Sequence, residues 1–239
     1  MISPTDQLRI KIFADGASVE EMLEMASKKY IKGLTTNPTL MKKAGVTNYK
    51  EFAKKVLEAV PEKPISFEVI SDDPITMVKE GIEIASWGEN VFVKIPVTNT
   101  KRELSNKVIS TLAREGVKIN VTAIMTHEQV TQVIEALNPQ IPSFISVFAG
   151  RIADTGRDPM PIMSDILQTI SPNEKTELIW ASPRELYNLI QADQIGCHII
   201  TATNDIIAKI GLIGKNLDEY SLETVKMFYN DAITSDIKF

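Results

Sequence analysis

Short apolar runs rich in β-branched residues alternate with longer amphipathic stretches along the chain. This alternation is typical of βαβ units, which build a parallel sheet covered by helices. The apolar runs predict eight strands, at 9–15, 32–37, 65–69, 90–97, 117–124, 143–150, 176–182 and 198–203. The amphipathic stretches predict eight helices, at 19–29, 49–59, 75–85, 101–114, 128–137, 162–170, 184–191 and 205–212. Eight strand–helix pairs of roughly 25 to 30 residues predict an α/β fold, a closed (β/α)8 TIM barrel that forms one domain over 1–239.

An open, doubly wound sheet is the alternative arrangement of the same elements. It is less favoured, because the sequence lacks the GxGxxG turn that such sheets often use for a dinucleotide. Capping residues support the helix starts, at Ser18, at Asp72 and Asp73 with Pro74, at Thr126, and at Ser182 with Pro183. The stretch 218–233 predicts an additional C-terminal helix, packed on the barrel or on a neighbouring subunit.

Composition narrows the class of protein. Of the 239 residues, 44% are hydrophobic and 24% are charged, which is enough to fill the core of one barrel. The net charge of −5 is spread along the chain, so we expect no nucleic-acid partner. We expect no membrane partner, because no window reaches roughly 18 uncharged apolar residues and the first residues lack a secretory leader pattern. Cys197 is the single cysteine, and with no Cys/His cluster we expect a cytoplasmic protein without a metal or cofactor.

Polar side chains interrupt the predicted strands near their carboxyl ends. A barrel strand is covered on both faces, so each polar residue there needs a reason. They are Asp15, Thr36, Asn37, Glu68, Lys94, Thr122, Ser146, Ser182, Thr201 and Thr203. Barrel active sites form at the carboxyl ends of the strands, so we expect these residues to meet at one mouth.

Lys94 lies inside the apolar run VFVKIPV, on the same side of the strand as Phe92. Burial disfavours the charged form of an amine, and the neutral form attacks a carbonyl carbon. The product is a Schiff base, whose protonated imine withdraws electrons and permits cleavage of a neighbouring carbon–carbon bond. The alternative is a lysine that extends to water or pairs with an acid.

Asp15 and Glu68 are carboxylates on otherwise apolar strands. Schiff-base chemistry needs proton transfers at carbinolamine formation and at the substrate hydroxyl, so both residues are candidates for acid/base catalysis. Two structural alternatives stay open. Asp15 caps the first helix, or Glu68 only neutralises Lys94.

Basic and hydroxyl residues follow the late strands. Arg151 comes after the sixth strand, and Ser182 with Arg184 lies where the seventh strand meets its helix. Barrels commonly bind phosphate near late strands, where a hydroxyl, a guanidinium and a helix amino terminus converge on the anion. The pattern predicts a sugar phosphate as the substrate; the alternative is two surface arginines and an N-cap serine.

Six motifs occur in the same order as in one known family. GLTTNPTLM (33–41) resembles the transaldolase signature, in which TTNP follows the second strand. KIFAD resembles the first-strand motif of that family, VFVKIPVT its Schiff-base lysine motif, and NVTAIMT its threonine motif. SVFAGRI and WASPRE resemble its later motifs. The chain is therefore identified as a member of the transaldolase family, in the branch of small transaldolases and fructose-6-phosphate aldolases.

The resemblance implies roles for individual residues. It implies that Lys94 is the Schiff-base nucleophile and that Asp15 is the acid/base for cleavage of the C3–C4 bond. Glu68 and Thr122 are implied to hold a catalytic water. The implied substrate-binding residues are Thr35, Asn37 and Ser146 for the ketose hydroxyls, Phe148, and Arg151, Ser182 and Arg184 for the phosphate.

Two positions resemble the transferases of the family more than its aldolases. Fructose-6-phosphate aldolases carry glutamine and tyrosine where this chain has Glu68 and Phe148. Without the phenol hydroxyl, one donor that protonates the enamine intermediate is missing, and the intermediate waits for an acceptor aldehyde. The implied reaction is transfer of a dihydroxyacetone unit from fructose 6-phosphate or sedoheptulose 7-phosphate to an aldose phosphate, in the pentose phosphate pathway.

Several alternatives stay open. The loop 150–163 and Pro183 depart from the family pattern near the distal end of the substrate, so a sulfofructose transaldolase is one alternative. A fructose-6-phosphate aldolase is another. The non-enzyme alternative is a sugar-phosphate-binding barrel in which Lys94 and Glu68 form a structural ion pair. The short length resembles an often decameric branch, so we expect a homo-oligomer, a decamer or a pentamer, packed through the C-terminal helix.

Overall fold

The computed structural model describes residues 8–235 and contains a closed barrel of eight parallel strands. The strands are β1 Lys11–Asp15, β2 Ile31–Thr35, β3 Ile65–Glu68, β4 Val91–Pro96, β5 Ile119–Ile124, β6 Ser143–Val147, β7 Thr176–Trp180 and β8 Ile199–Thr203. They lie in chain order, and β8 closes the barrel against β1. The predicted (β/α)8 TIM barrel is confirmed, and the alternative of an open sheet is wrong.

Helices connect the strands. They are α1 Val19–Ser27, α2 Pro38–Lys43, α3 Tyr49–Ala59, α4 Pro74–Ala85, α5 Asn106–Arg114, α6 His127–Ile134, α7 Ala149–Asp154, α8 Pro159–Ile170, α9 Tyr187–Gln194, α10 Asn204–Ile207, a 3₁₀ helix Ala208–Leu212, and α11 Leu217–Thr234. The sequence pattern does not predict α2 and α7. Each has six residues, which is too short to show a helical repeat.

Side-chain caps begin three of the predicted helices as expected. Ser18 caps α1, Asp73 caps α4 and Thr126 caps α6, each by accepting a hydrogen bond from a backbone N–H of the first turn. At α6 the side chain of Gln129 also reaches back to the N-cap backbone, which completes a capping box. These side chains determine the residues at which the three helices begin.

The segment after β7 turns before its helix begins, so the prediction that Ser182 and Pro183 start the seventh helix is wrong. Ser182 has a φ of 58°, in the left-handed region. The side chain of Asn188 accepts hydrogen bonds from the backbone N–H groups of Arg184, at 2.7 Å, and Glu185, at 3.2 Å. These two donors lie before α9 and are satisfied by the side chain of Asn188, which is in the first turn of that helix.

Aromatic side chains fill the interior of the barrel beneath its carboxyl end. Phe92 stacks on Phe144 with ring centroids 4.0 Å apart, and Phe13 meets Phe144 edge to face at 5.7 Å. Gly33 makes room for these rings, because a Cβ at this position would lie 2.5 Å from the ring of Phe13. The three buried rings close the barrel below the polar residues of the mouth.

The predicted C-terminal helix is present as α11, but none of its residues is buried against the barrel. Its large apolar side chains are exposed, with 60% of Val225, 63% of Phe228 and 62% of Ile233 accessible to solvent. Among residues 8–235, no helix has the length and apolar character that crossing a membrane requires. Packing of α11 on a neighbouring subunit stays a prediction.

Candidate active site

A cavity of about 630 Å³ opens at the carboxyl ends of the strands. The polar strand-end residue Thr36 does not line it, whereas every residue with a predicted catalytic or substrate-binding role does. These residues are Asp15, Thr35, Asn37, Glu68, Lys94, Thr122, Ser146, Phe148, Arg151, Ser182 and Arg184. They come from seven different strands or from the segments that follow them, and the barrel brings them to one mouth.

Lys94 lies on β4 at the bottom of this cavity, with 8% of its side chain exposed. In the barrel register it stands between Glu68 of β3 and Asn120 of β5. Its Nζ lies 3.0 Å from Glu68 Oε2 and donates a hydrogen bond of 2.7 Å to the Thr36 carbonyl. A lysine that extends to water is therefore excluded, and the pair with Glu68 is present. A buried amine that faces an open cavity can reach the carbonyl carbon of a bound sugar.

Asp15 ends β1 and is held by two side chains from the next strand–helix unit. Thr35 Oγ1 donates to Asp15 Oδ1 at 2.8 Å, and Asn37 Nδ2 donates to Asp15 Oδ2 at 3.1 Å. The Asn37 amide has a fixed orientation, because its Oδ1 caps α2 by accepting from Leu40 N at 2.9 Å. Burial raises the pKa of Asp15, opposed by the charge of Lys94 and by the hydrogen bonds from Thr35 and Asn37.

The structural alternative for Asp15 is wrong. The first helix is capped by Ser18, not by Asp15. The Asp15 carboxylate instead faces the cavity, where a proton taken from a substrate hydroxyl can be accepted and returned. Because burial raises the pKa of Asp15, its protonated form is favoured more than that of an ordinary carboxylate.

Thr122 presents a buried hydroxyl to the cavity, and within residues 8–235 its Oγ1 has no hydrogen-bond partner. The pairing of β5 with β6 changes register after Val121, and Ala123 has a φ of 62°, so the strand bulges here. Buried hydroxyls without a protein partner commonly bind an ordered water. The cavity that Thr122 shares with Glu68 therefore offers a site for such a water.

Asn120 is a buried polar residue that the strand-end pattern does not identify. Ser146 Oγ donates to Asn120 Oδ1 at 2.7 Å, and Asn120 Nδ2 donates to Ser66 Oγ at 3.0 Å. This chain of hydrogen bonds crosses three strands beside Lys94. An asparagine in the middle of the apolar run VKINVTAI is the sequence signal that could have found it.

Two exposed arginines also line the cavity. Arg151 on α7 stands over the ring of Phe148, 5.4 Å from its centroid. Arg184 forms an ion pair with Asp154 through two of its nitrogens, one of them Nε at 3.1 Å. Exposed ion pairs are weak, so a phosphate can compete for Arg184. The helix that follows β7 does not place its amino terminus at Ser182 and Arg184 as expected, because α9 begins only at Tyr187.

Gly150 allows the two segments that carry the anion-binding candidates to approach each other closely. A Cβ at Gly150 would lie 1.7 Å from the carbonyl oxygen of Ser182. The close approach brings α7, which carries Arg151, against the turn that carries Ser182 and Arg184. Only glycine permits this contact without movement of the backbone.

Thr201 of β8 extends the hydrogen-bonded group around Asp15. Its Oγ1 lies 2.5 Å from Thr35 Oγ1. Thr35 gives its one hydroxyl hydrogen to Asp15, so Thr201 is the donor to Thr35. The sequence marks Thr201 as a polar strand-end residue, but its partner lies 166 positions away, and only closure of the barrel reveals the pair.

Known sequences identify the family of this chain. The profile described as transaldolase/fructose-6-phosphate aldolase matches residues 12–237. The chain belongs to this family. It is 35% identical over 202 residues to a probable transaldolase of Dehalococcoides mccartyi, which covers 84% of this chain and 90% of that protein. A probable transaldolase of Methanococcus maripaludis is 36% identical over 84% of this chain and 89% of its own length. These relatives support a transaldolase-like enzyme.

Solved structures with low sequence identity share the fold. A 2,3-dimethylmalate lyase superposes with a TM-score of 0.53 and 13% identity, covering 97% of this chain and 88% of that chain. A truncated 3-deoxy-D-arabino-heptulosonate 7-phosphate synthase from Thermotoga maritima superposes with a TM-score of 0.52 and 12% identity. The match covers 81% of this chain and 74% of that chain. At this level of identity the likeness concerns the barrel alone.

Proposed function

We propose that this protein is a transaldolase that moves a dihydroxyacetone unit from fructose 6-phosphate or sedoheptulose 7-phosphate to an aldose phosphate. The observation that carries the proposal is the position of Lys94, whose buried Nζ lies 3.0 Å from Glu68 at the bottom of the cavity. The anion-binding candidates Arg151 and Arg184 line the same cavity. A ketose phosphate needs an imine nucleophile for its carbonyl and a cation for its phosphate.

The first step of the proposed reaction is attack of Lys94 Nζ on C2 of the ketose. Lys94 must lose a proton before it attacks, and Glu68 Oε2 lies within reach of that proton. Glu68 then returns that proton to the carbinolamine hydroxyl, which leaves as water, and a protonated imine joins Lys94 to C2. Water held at Thr122 Oγ1 would supply the reverse reaction, in which the imine is hydrolysed.

Cleavage follows from the position of Asp15. The Asp15 carboxylate takes the proton from the C4 hydroxyl, the C3–C4 bond breaks, and its electrons pass to the imine nitrogen to form an enamine. The carbon chain beyond C3 leaves as an aldose phosphate. An acceptor aldose phosphate then binds, the enamine carbon attacks its aldehyde, and Asp15 returns the proton to the new hydroxyl. Thr35 and Asn37 hold Asp15 in place for both steps.

The choice between transfer and release depends on the fate of the enamine. Phe148 has no hydroxyl, and its ring lies beneath the Arg151 guanidinium. A phenylalanine there cannot protonate the enamine, which favours transfer over release of free dihydroxyacetone. A fructose-6-phosphate aldolase is the second candidate within the family, and a sulfonated hexose is an alternative donor for the arginine site.

Cellular context completes the proposal. We place the enzyme in the cytoplasm and the reaction in the pentose phosphate pathway, with sugar phosphates as its partners and a homo-oligomer, a decamer or a pentamer, as its assembly. Neither a nucleic acid nor a membrane is proposed as a partner, and the mechanism uses no cofactor.

Borohydride reduction in the presence of fructose 6-phosphate tests the imine. We expect peptide mass spectrometry to find a reduced three-carbon adduct on Lys94, and no adduct in Lys94→Ala. No adduct under saturating sugar would support the sugar-phosphate-binding barrel instead. Turnover of fructose 6-phosphate with and without erythrose 4-phosphate then separates the reactions, because a transferase needs the acceptor. A sulfonated hexose in the same panel tests the sulfofructose alternative.

A further inference from the structure

Strand β2 stops pairing with β3 before the active site is reached. The last paired residues are Thr35 and Ser66, and Thr36 N donates to the Ser66 carbonyl at 3.2 Å. In a regular parallel ladder, the next hydrogen bond would run from Glu68 N to the Thr36 carbonyl. The one after it would run from the backbone N–H of residue 38 to the Glu68 carbonyl.

Neither of these two hydrogen bonds forms, for reasons that the sequence explains. Residue 38 is a proline, which has no backbone N–H to donate. The Thr36 carbonyl accepts from Lys94 Nζ at 2.7 Å. The N–H and carbonyl of Glu68 therefore face the side of β2 without a strand partner, although Glu68 is a proposed catalytic residue.

Tyr49 supplies both missing partners with one hydroxyl. Glu68 N donates to Tyr49 Oη at 2.8 Å, and Tyr49 Oη donates to the Glu68 carbonyl at 3.1 Å. Tyr49 is the first residue of α3, and its ring meets Trp87 edge to face at 5.4 Å and Phe67 at 6.2 Å. Burial raises the pKa of Tyr49, so its hydroxyl keeps the hydrogen that it donates.

We infer that Tyr49 is a positioning residue, whose hydroxyl replaces the missing part of β2 and thereby frees the Thr36 carbonyl for Lys94. The same hydroxyl holds the backbone of Glu68 so that its carboxylate stays 3.0 Å from Lys94 Nζ. The inference deepens the proposed function, on which the catalytic roles of Lys94 and Glu68 rest. Without the hydroxyl, the acceptor that a regular β2–β3 ladder offers to Glu68 N is the Thr36 carbonyl, and its use there would take it away from Lys94.

The variant that tests this role is Tyr49→Phe, which removes the hydroxyl and keeps the ring against Trp87 and Phe67. Tyr30→Phe is the matched control. Tyr30 is another partly buried tyrosine packed on the core, and its hydroxyl makes no hydrogen bond within the described part of the chain. Thermal unfolding of both variants establishes that the measured protein is folded.

The first measurement is the rate at which acetic anhydride acetylates Lys94 at fixed pH, followed by peptide mass spectrometry. We expect Tyr49→Phe to raise this rate about tenfold, because the ammonium loses an acceptor and a hydrogen bond to a charged group changes an equilibrium by at least about that factor. The control should keep the wild-type rate. An equal rate in Tyr49→Phe and Tyr30→Phe overturns the inference.

The second measurement is steady-state transfer from fructose 6-phosphate to erythrose 4-phosphate. We expect kcat of Tyr49→Phe to fall roughly 10- to 100-fold, since a displacement of about 1 Å in a catalytic group has effects of that size. KM should stay near the wild-type value, because Tyr49 does not line the cavity. A folded variant with wild-type kcat overturns the inference. If the wild type itself transfers nothing, the proposed function fails, and the acetylation rates still decide the role of Tyr49.

Discussion

Gly150 lies against the backbone of Ser182, and we predict that Gly150→Ala separates phosphate binding from Schiff-base chemistry. The added Cβ would lie 1.7 Å from the Ser182 carbonyl oxygen, whereas real Cβ contacts essentially never fall below 3.0 Å. The difference requires α7 and the Ser182 turn to separate by about 1.3 Å. That turn carries Arg184, and α7 carries Arg151, so the two cations move apart.

The size of the effect follows from this displacement. Overpacking of this kind costs roughly 1–3 kcal/mol of stability, and a chain of this length loses about 2–4 °C of Tm for each kcal/mol. A displacement of about 1 Å at a binding group lowers kcat/KM by up to roughly 100-fold. We expect most of the loss as a raised KM for fructose 6-phosphate. Lys94 on β4 should keep its reactivity, because the Gly150 contact does not involve that strand.

Two assays on the same preparation distinguish these effects. Transfer kinetics with fructose 6-phosphate report on the phosphate end of the cavity. Borohydride trapping of dihydroxyacetone, which has no phosphate, reports on Lys94 alone. Gly211→Ala is the control, because a Cβ there has no heavy atom within 4 Å and should change neither assay.

Two results would refute the reasoning about Gly150. A wild-type KM for fructose 6-phosphate in Gly150→Ala would show that the contact with Ser182 does not control the anion site. Loss of dihydroxyacetone trapping in proportion to loss of transfer would show that the substitution disturbs the whole barrel mouth.

Other substitutions test separate parts of the structure. Phe148→Tyr should raise acceptor-free release of dihydroxyacetone roughly tenfold relative to transfer, because a phenol can protonate the enamine; unchanged partitioning contradicts the role of this position. Burial raises the pKa of Asp15 above its ordinary value of 3.8. The wild type should therefore lose stability relative to Asp15→Asn as the pH rises from about 4 through that raised pKa. In urea unfolding, the free energy of unfolding of Asp15→Asn minus that of the wild type should increase from about pH 4 to about pH 7, and a constant value would count against the raised pKa. Phe228→Glu on α11 should reduce the assembly seen by sedimentation velocity, since burial of such a side chain contributes about 2–3 kcal/mol; an unchanged assembly rules out α11 as the contact.

The barrel could be predicted because each strand is an apolar run bounded by helical periodicity, but the ends of the strands could not. The predicted strand 32–37 extends beyond Thr35, since Thr36 and Asn37 continue a β-like pattern. In the structure Asn37 caps α2, so the strand stops before it. The predicted strand 143–150 is likewise too long, because Gly150 lies in α7.

The candidate site could be predicted where a residue breaks a buried pattern, as Lys94 and Asp15 do. Tyr49 breaks no pattern, because an aromatic residue on the apolar side of a helix is explained by core packing, and its partner is a backbone group. The contact between Thr201 and Thr35 depends on closure of β8 against β1, which no local pattern encodes. The left-handed backbone of Ser182 and the hydrogen bond from Arg184 N to the Asn188 side chain are likewise features of the folded turn that no local pattern predicts.

The rings of Phe13, Phe92 and Phe144 close the barrel beneath the cavity, which has an entrance at the carboxyl ends of the strands. In the proposed reaction, the departing aldose and its replacement must use this entrance and the same arginines, so the two never bind together. Such an enzyme follows ping-pong kinetics, with each aldose phosphate competing against the other. Between departure and arrival, the covalent intermediate waits in a pocket open to water. The yield of transfer therefore depends on two rates. It is high when an acceptor binds faster than the enamine is protonated, and low when protonation is faster.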